Sequence, residues 1–167
     1  MKQILKHILI IILLSFSALL WAQKPIKHWD FEKIENGTTQ EIISGSADKL
    51  EGQFMLAEGI KGNGIRFDGF TTCLLHEADS ANNPGDEFSI EAWAALGNYP
   101  WNWCPIITTE SDEVTGYRLM LAPLGQISLQ GAIDEQWISC TSEQEVMPLR
   151  QWMHIVGIYR ANKDMRV

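Results

Sequence analysis

The stretch FSIEAW, residues 88–93, alternates apolar and polar side chains and decides the fold class. In an extended strand, successive side chains point to opposite faces of the sheet. The apolar side chains at positions 88, 90 and 92 therefore share one face, and Ser89, Glu91 and Trp93 share the other. This alternation predicts a half-buried strand of an antiparallel sheet.

Short segments of the same kind continue on both sides of this stretch. They are rich in aromatic and β-branched residues, which favour strands, and are separated by clusters of Gly, Asn and Pro, which favour turns. The predicted strands are residues 26–31, 64–67, 72–75, 88–96, 106–109, 117–121, 126–130, 137–141 and 152–159. Because no segment of the mature chain carries a sustained helical stripe, the sequence predicts an all-β fold, an antiparallel β-sandwich or jelly roll.

The first 22 residues carry the three parts of a secretory signal peptide. Lys2 and Lys6 give a positive start, residues 8–20 form an apolar core, and Ala22 is a small residue before the predicted cleavage point. The apolar run is shorter than the roughly 18 residues that a membrane-spanning helix needs. The sequence therefore predicts an exported protein, with residues 1–22 as signal peptide and residues 23–167 as one domain. Its destination is the periplasm, the cell surface or the medium, with no membrane attachment after cleavage.

The charge balance excludes one class of partner. The chain has a net charge of −8, and loss of Lys2 and Lys6 brings the mature chain to about −10 by simple counting. An acidic surface repels phosphate backbones and no basic stripe compensates, so nucleic acid is not expected to bind.

Three cysteines, Cys73, Cys104 and Cys140, show no metal-ligand spacing. Two interpretations stay open for them. In an oxidising compartment two of them form a disulfide and leave one thiol, or all three act as small buried apolar residues.

Five segments, in order along the chain, match the pattern of one family. They are WDFE at residues 29–32, GIKGNGIRFDG at 59–69, FSIEAW at 88–93, YRL at 117–119 and WMHIVG at 152–157. Together they resemble the laminin-G-like domain, a concanavalin A-like jelly roll that is often attached to secreted glycan-active enzymes and adhesins. The resemblance implies a carbohydrate-binding or accessory module.

The stretch YPWNW, residues 99–103, adds a narrower resemblance. It is similar to modules that precede the catalytic domain of glycoside hydrolase family 32, the fructan and sucrose hydrolases. The catalytic propeller of those enzymes, with its acidic motifs, does not occur in these residues. The resemblance therefore implies that a downstream catalytic domain of the same polypeptide is a partner and that any hydrolase activity belongs to it.

The last residues depart from the family pattern. After WMHIVG the family continues through a turn into further core strands, whereas here a turn at residues 162–164 is followed by three residues. We therefore expect a jelly roll that is incomplete at its C-terminus, in which one edge of the 152–159 strand is exposed.

The candidate carbohydrate-binding residues are Tyr99, Trp101, Trp103 and Trp137. Sugar rings present apolar C–H faces with polar rims, and aromatic side chains offer a matching apolar face. Pro100 stiffens the segment and so lowers the entropy lost on binding. The alternative is that Trp101 and Trp103, two residues apart, pack on the sandwich as a lid, because large aromatic residues are usually mostly buried.

No catalytic residue is predicted. The best candidates, Glu87 and Glu91 with Ser89 between them, share a strand face. Residues four apart on a strand lie about 13 Å apart, whereas a retaining glycosidase needs carboxyl groups roughly 5–5.5 Å apart.

A structural calcium ion is the one cofactor that the resemblance leaves open. The candidate oxygen ligands are Asp30, Glu32, Asp68, Asp79 and Asp86, and they form no spaced motif such as an EF-hand loop. A solvated acidic surface explains them equally well, so the metal ligands stay unknown.

The sequence thus favours a non-catalytic carbohydrate-binding or accessory module of an exported protein, with a glycan or a downstream catalytic domain as partner. Two alternatives stay open. The chain is the N-terminal fragment of a secreted glycoside hydrolase of the fructan-cleaving kind, or it is a structural or adhesion domain without a ligand.

Overall fold

The computed structural model describes residues 24–79, 83–109 and 114–167, and within these ranges the chain forms twelve β-strands and no helix. The strands are β1 (Thr38–Gln40), β2 (Ala47–Glu51), β3 (Phe54–Glu58), β4 (Asn63–Phe67), β5 (Cys73–Leu75), β6 (Glu87–Ala94), β7 (Cys104–Thr108), β8 (Tyr117–Leu121), β9 (Ile127–Ile133), β10 (Gln136–Thr141), β11 (Met153–Arg160) and β12 (Asp164–Arg166). The predicted all-β class is confirmed. No helix in the described ranges is long and apolar enough to cross a membrane. The predicted signal peptide lies outside the described residues.

Two sheets enclose the main core. One has the strand order β10-β9-β8-β7 and the other has the order β12-β11-β6, with antiparallel pairing throughout. The buried side chains between them are aliphatic: Leu119, Leu121, Ile127, Leu129, Met147 and Ile155. Burying each such side chain contributes about 1.5–3 kcal/mol. We call this unit, residues 87–167, the apolar sandwich.

Strand β6 has the two faces that its alternation predicts. Ile90 and Ala94 pack against the core, whereas Glu91 and Trp93 are exposed. On the neighbouring strand, Gly157 lets the two sheets approach closely. A Cβ atom there would lie 3.2 Å from Cδ1 of Leu129 and 3.3 Å from Cδ1 of Leu119, closer than comfortable packing allows.

The strands β1, β2 and β5 form a separate sheet that buries polar side chains. Thr39 and Asp48 are paired on β1 and β2 and are both buried, and Glu41 just after β1 is fully buried. Leu50 supplies buried apolar surface in the same sheet. We call this unit the polar sheet. The strands β3 and β4 form a two-stranded hairpin.

Three loops meet at one end of the apolar sandwich, which we call the aromatic end. The β6–β7 and β10–β11 loops are joined by a hydrogen bond from Arg150 N–H to the Leu96 carbonyl. The β10–β11 loop also reaches the β8–β9 turn, where Met147 N–H donates to the Gly125 carbonyl. Residues 99–103 lie in the β6–β7 loop, so the fold places them at this end.

Eight of the nine predicted strands are present, with shifted bounds for most of them. The prediction for residues 26–31 is wrong, because this segment joins no sheet. One backbone hydrogen bond, from Ile42 N–H to the His28 carbonyl, holds it. Two side chains hold it as well: His28 N–H donates to Glu41, and the Trp29 indole donates to Asp48. The sequence did not predict β1, β2 or β3. These strands are short or carry Lys, Glu, Asp and Ala, which have low strand propensity.

The three cysteines are free thiols in this structure. Cys73 is exposed, while Cys104 and Cys140 are partly buried. The disulfide interpretation does not hold, because no disulfide links any two of them. The interpretation as buried apolar residues does not hold for Cys73, which lies on the surface.

Candidate functional site

The β6–β7 loop presents the first group of candidate aromatic residues. Tyr99 is its anchor, because its ring packs on Gly125 of the β8–β9 turn so closely that a Cβ on Gly125 would lie 2.7 Å from the ring. Gly125 has φ +71°, a conformation that favours glycine. Beyond this anchor Trp101 is 78% exposed and Trp103 is 44% exposed. Most of the Trp101 side chain and nearly half of the Trp103 side chain are therefore open to solvent, and the choice between binding and packing as a lid stays a prediction.

A second aromatic group lies on the outer face of the three-stranded sheet. The register places His154 of β11 opposite Trp93 of β6, and the two rings stack with centroids 4.9 Å apart and 19° between their planes. His154 Nε2 lies 3.2 Å from Oε2 of Glu91. Because a carboxylate only accepts hydrogen bonds, Nε2 is the donor. We call Glu91, Trp93 and His154 the sheet platform.

The sheet platform and the exposed tryptophans lie at the same end of the sandwich. Trp93 is the last residue but one of β6, whose chain continues into the loop that carries Trp101 and Trp103. Trp93 itself is 51% exposed. Trp152, which immediately precedes β11, is partly exposed at this end as well. The aromatic end thus combines apolar ring faces with a carboxylate and an imidazole.

The structure does not bring Trp137 to this end. Trp137 pairs with Ala132 on β9, five residues along that strand from Ile127 and so about 17 Å from the β8–β9 turn. The Arg118 guanidinium lies 4.1 Å from the centroid of its ring, which is a cation–π contact. Trp137 therefore lies away from the other three candidate residues, and its role in carbohydrate binding stays a prediction.

The acidic residues of β6 share an exposed face, as their spacing predicts, but have separate partners. Glu87 forms an ion pair with Lys163, and the hydrogen bond from Lys163 lowers the pKa of the Glu87 carboxyl. Glu91 bonds to His154. Four strand residues separate the Cα atoms of Glu87 and Glu91 by about 13 Å, and each carboxylate is bonded to a different partner.

The candidate calcium ligands do not converge. The Thr71 hydroxyl, together with the N–H groups of residues 70–72, donates hydrogen bonds to Asp68 and lowers the pKa of its carboxyl. Glu32 binds Asn63 N–H, and Asp79 pairs with Lys27. Within the described ranges no three acidic, His or Cys side chains lie close enough together to hold a metal ion.

The polar sheet carries a cleft of about 470 Å³ lined by residues that include Asp48, Leu75 and His76. Asp48 accepts hydrogen bonds from Trp29 Nε1 at 2.7 Å, from Ser46 Oγ at 3.1 Å and from His76 Nδ1 at 2.9 Å. Its oxygens are thus satisfied by neighbouring side chains. The arrangement holds the N-terminal segment on the sheet, which is a structural role.

A second cleft, of about 440 Å³, lies at the opposite end of the sandwich from the aromatic end. Phe88, Tyr117 and Tyr159 line it, and the Phe88 ring lies 4.8 Å from Tyr117 and 5.1 Å from Tyr159 between centroids. Burial raises the pKa of Tyr117. Because these rings pack mainly on one another, they offer less open aromatic surface than the aromatic end does.

Sequence reasoning missed Trp93 and His154 as functional candidates. The alternation of FSIEAW does place Trp93 on the face opposite the core, and a similar alternation in WMHIVG turns His154 outward. Their contact depends on the β6–β11 register, which pairs Ala94 with Met153. A sequence pattern does not supply that register across a long intervening segment.

Comparison with known proteins yields one family. A family model described as the concanavalin A-like lectin/glucanases superfamily matches residues 68–167, which is more than half of the chain. No curated protein and no solved structure matches. The matched residues include the whole apolar sandwich and the aromatic end.

Proposed function

Because the chain belongs to the concanavalin A-like lectin/glucanases superfamily, we propose that it is a non-catalytic carbohydrate-binding module of an exported protein. The glycan binds at the aromatic end, across Trp101, Trp103 and the sheet platform. Tyr99 positions the loop without itself forming the open surface.

The exposure of three tryptophans at one end of the sandwich is the observation that carries this proposal. Trp93, Trp101 and Trp103 keep large apolar ring faces in water, an arrangement that costs free energy unless a ligand covers it. Sugar C–H faces stack on such rings, while the ring hydroxyls hydrogen-bond to nearby polar groups. Glu91 and His154 supply those groups beside Trp93.

Catalysis is not part of the proposal. Glycoside hydrolysis needs two carboxyl groups on either side of one bond, whereas Glu87 and Glu91 point outward from a single strand with different partners. Export follows from the signal-peptide pattern of residues 1–22. The association with a fructan-cleaving domain stays a prediction that rests on residues 99–103.

Calorimetric titration of the chain with a panel of gluco-, xylo-, fructo- and amino-sugar oligosaccharides tests the proposal. We expect at least one oligosaccharide to bind. Trp93→Ala and Trp101→Ala should each weaken binding about tenfold, equivalent to about 1.4 kcal/mol.

The matched control is Phe70→Ala, which removes an aromatic side chain that is 83% exposed on the β4–β5 turn. This variant should bind as the wild type does. Binding that neither tryptophan variant weakens would place the site elsewhere. The absence of binding to any oligosaccharide would favour a structural or adhesion domain, and turnover of a bound oligosaccharide would show an enzyme.

A further inference from the structure

We propose that the sheet platform recognises a glycan with free amino groups, such as a polymer of basic 2-amino sugars; this inference rests on the proposed carbohydrate-binding function. It concerns the chemical class of the ligand. Three observations carry it: the partners of Glu91, its position two residues from Trp93 on the same strand face, and the charge of the chain.

The first observation is that Glu91 differs from the other acidic residues on the outer face of its sheet. Glu87 pairs with Lys163, and Asp164 pairs with Arg160 and Arg166. Among the described residues, Glu91 bonds to the His154 imidazole and has no lysine or arginine partner. Its exposed carboxylate therefore offers negative charge to a ligand.

The second observation is the position of this carboxylate beside an aromatic ring. Glu91 and Trp93 are two residues apart on one face of β6, so their Cα atoms are separated by about 7 Å. A ligand ammonium group near both side chains gains an ion pair with the carboxylate and a cation–π contact with the indole. His154 stacks on Trp93 and holds the Glu91 side chain by its hydrogen bond, so the pair is already ordered before the ligand arrives.

The third observation is the overall charge. The chain carries 21 acidic and 13 basic residues, a net charge of −8. The electrostatic field of this net negative charge attracts polycations and repels acidic polysaccharides such as uronic acid polymers. An uncharged glycan gains nothing from it, so charge complementarity favours the basic amino-sugar polymer.

The test is a calorimetric titration of the intact chain with a β-1,4-linked glucosamine hexamer and with its fully N-acetylated counterpart, which has the same backbone without the charges. The wild type should bind the free amine form about tenfold more tightly. This preference should decrease when the salt concentration rises, because salt screens exposed charges. Glu91→Gln should abolish the preference, and Trp93→Ala should weaken binding of both hexamers.

The matched control is Glu135→Gln, which removes an exposed carboxylate at the β9–β10 turn, at the other end of the sandwich. It should keep the preference, which separates recognition at the sheet platform from general attraction to an acidic surface. Circular dichroism melts establish that each variant is folded. Equal affinity for the two hexamers, or a preference that survives Glu91→Gln, overturns the inference while Trp93-dependent binding still supports the proposed function. If no oligosaccharide of any class binds, both are wrong.

Discussion

The apolar sandwich and the polar sheet bury different kinds of side chain. Between its two sheets the sandwich encloses aliphatic residues such as Leu119 and Leu129, both with no exposed surface. The polar sheet instead buries Glu41 and Asp48, whose carboxylates accept hydrogen bonds from surrounding backbone and side-chain groups. The first unit therefore depends on removing apolar surface from water, and the second depends on keeping buried charge fully hydrogen-bonded.

This difference shows where aromatic side chains are available for binding. In the polar sheet Trp29 has a structural partner, since its indole donates to Asp48 and its ring contacts His76 edge-on at 5.5 Å. In the sandwich the aliphatic core is sufficient for packing, so Trp93 and Trp101 remain on the surface. A ligand site can therefore occupy the aromatic end without disturbing the core.

The largest expected effect of a single substitution comes from the sandwich core. Leu129→Ala should reduce the free energy of unfolding by about 3–5 kcal/mol, because it removes a fully buried side chain and leaves a cavity. Urea denaturation followed by tryptophan fluorescence measures this. Ile138→Ala on the neighbouring strand β10, where the side chain is exposed, should cost about 1 kcal/mol or less. Equal costs for the two variants would contradict the assignment of the core.

Acid should weaken the polar sheet before the sandwich core. Burial alone would raise the pKa of Glu41, but hydrogen bonds from the Ser44 hydroxyl and from the N–H groups of Ile43, Ser44 and His28 lower it from 4.5 to about 2. Because the folded-state pKa lies below the unfolded value, this stabilisation is present above about pH 5 and is lost as the pH falls towards 2. It amounts to about 3 kcal/mol, at about 1.4 kcal/mol for each unit of pKa shift.

Hydrogen exchange, corrected for the intrinsic effect of pH, measures this loss region by region. Between pH 6 and pH 3, protection should fall in β1 and β2 while β8 and β9 keep theirs. Simultaneous loss in both regions, or earlier loss in β8 and β9, would show that Glu41 does not control the polar sheet.

A substitution at Glu41 should have a somewhat smaller effect at neutral pH. Glu41→Gln keeps the shape but loses the charge and directs an amide NH₂ group towards backbone donors, so it should cost about 2–3 kcal/mol. The stability of this variant should also depend less on acid than that of the wild type. Glu51→Gln is the control, since Glu51 is a partly exposed partner of Lys49, and such surface pairs contribute about 0–1 kcal/mol. Comparable losses in the two variants would contradict the role of Glu41.

The smallest expected effect on stability lies where the core meets the aromatic end. Gly125→Ala introduces a side chain at φ +71° and places its Cβ against the Tyr99 ring. A cost of about 1–2 kcal/mol in stability is expected from the backbone strain, together with weaker oligosaccharide binding because the loop moves. Gly69→Ala is the matched control, since Gly69 has φ +80° but no atom within 4 Å of the added Cβ. It should lose stability yet bind normally, and reduced binding in this control would remove the argument for the Tyr99 anchor.

The sandwich strands could be predicted from the sequence because their patterns are strong. FSIEAW places the apolar residues 88, 90 and 92 on one face, WMHIVG is a short run of aromatic and aliphatic residues, and β6 and β11 form where these segments lie. The polar sheet could not be predicted, since acidic residues such as Glu41 and Asp48 are normally on the surface. Their burial depends on hydrogen bonds from residues such as His28 and Trp29, which no local sequence pattern connects to them. The sequence also carries no glycine or asparagine that would indicate the β9–β10 turn. Asp134 and Glu135 both take positive φ, 49° and 58°, where glycine or asparagine would be expected.

The candidate site was predictable in part. The aromatic content of residues 99–103 identified Trp101 and Trp103, which the structure leaves exposed. Trp137 was grouped with them on composition alone, and its contact with Arg118 depends on the pairing of β8, β9 and β10. The contact between Trp93 and His154 likewise depends on strand register. Register is a property of the whole sheet, so local sequence does not reveal it.

Glycan binding at the aromatic end is tested most directly by NMR, by following the indole N–H signals of the tryptophans while the glucosamine hexamer is added. We predict that the signals of Trp93, Trp101 and Trp103 shift with a common saturation curve, because the ligand covers the aromatic end. The signals of Trp29, in the polar sheet, and of Trp137, beneath Arg118, should stay in place. Shifts confined to Trp29 or Trp137, with the aromatic-end signals unchanged, would contradict glycan binding at the aromatic end.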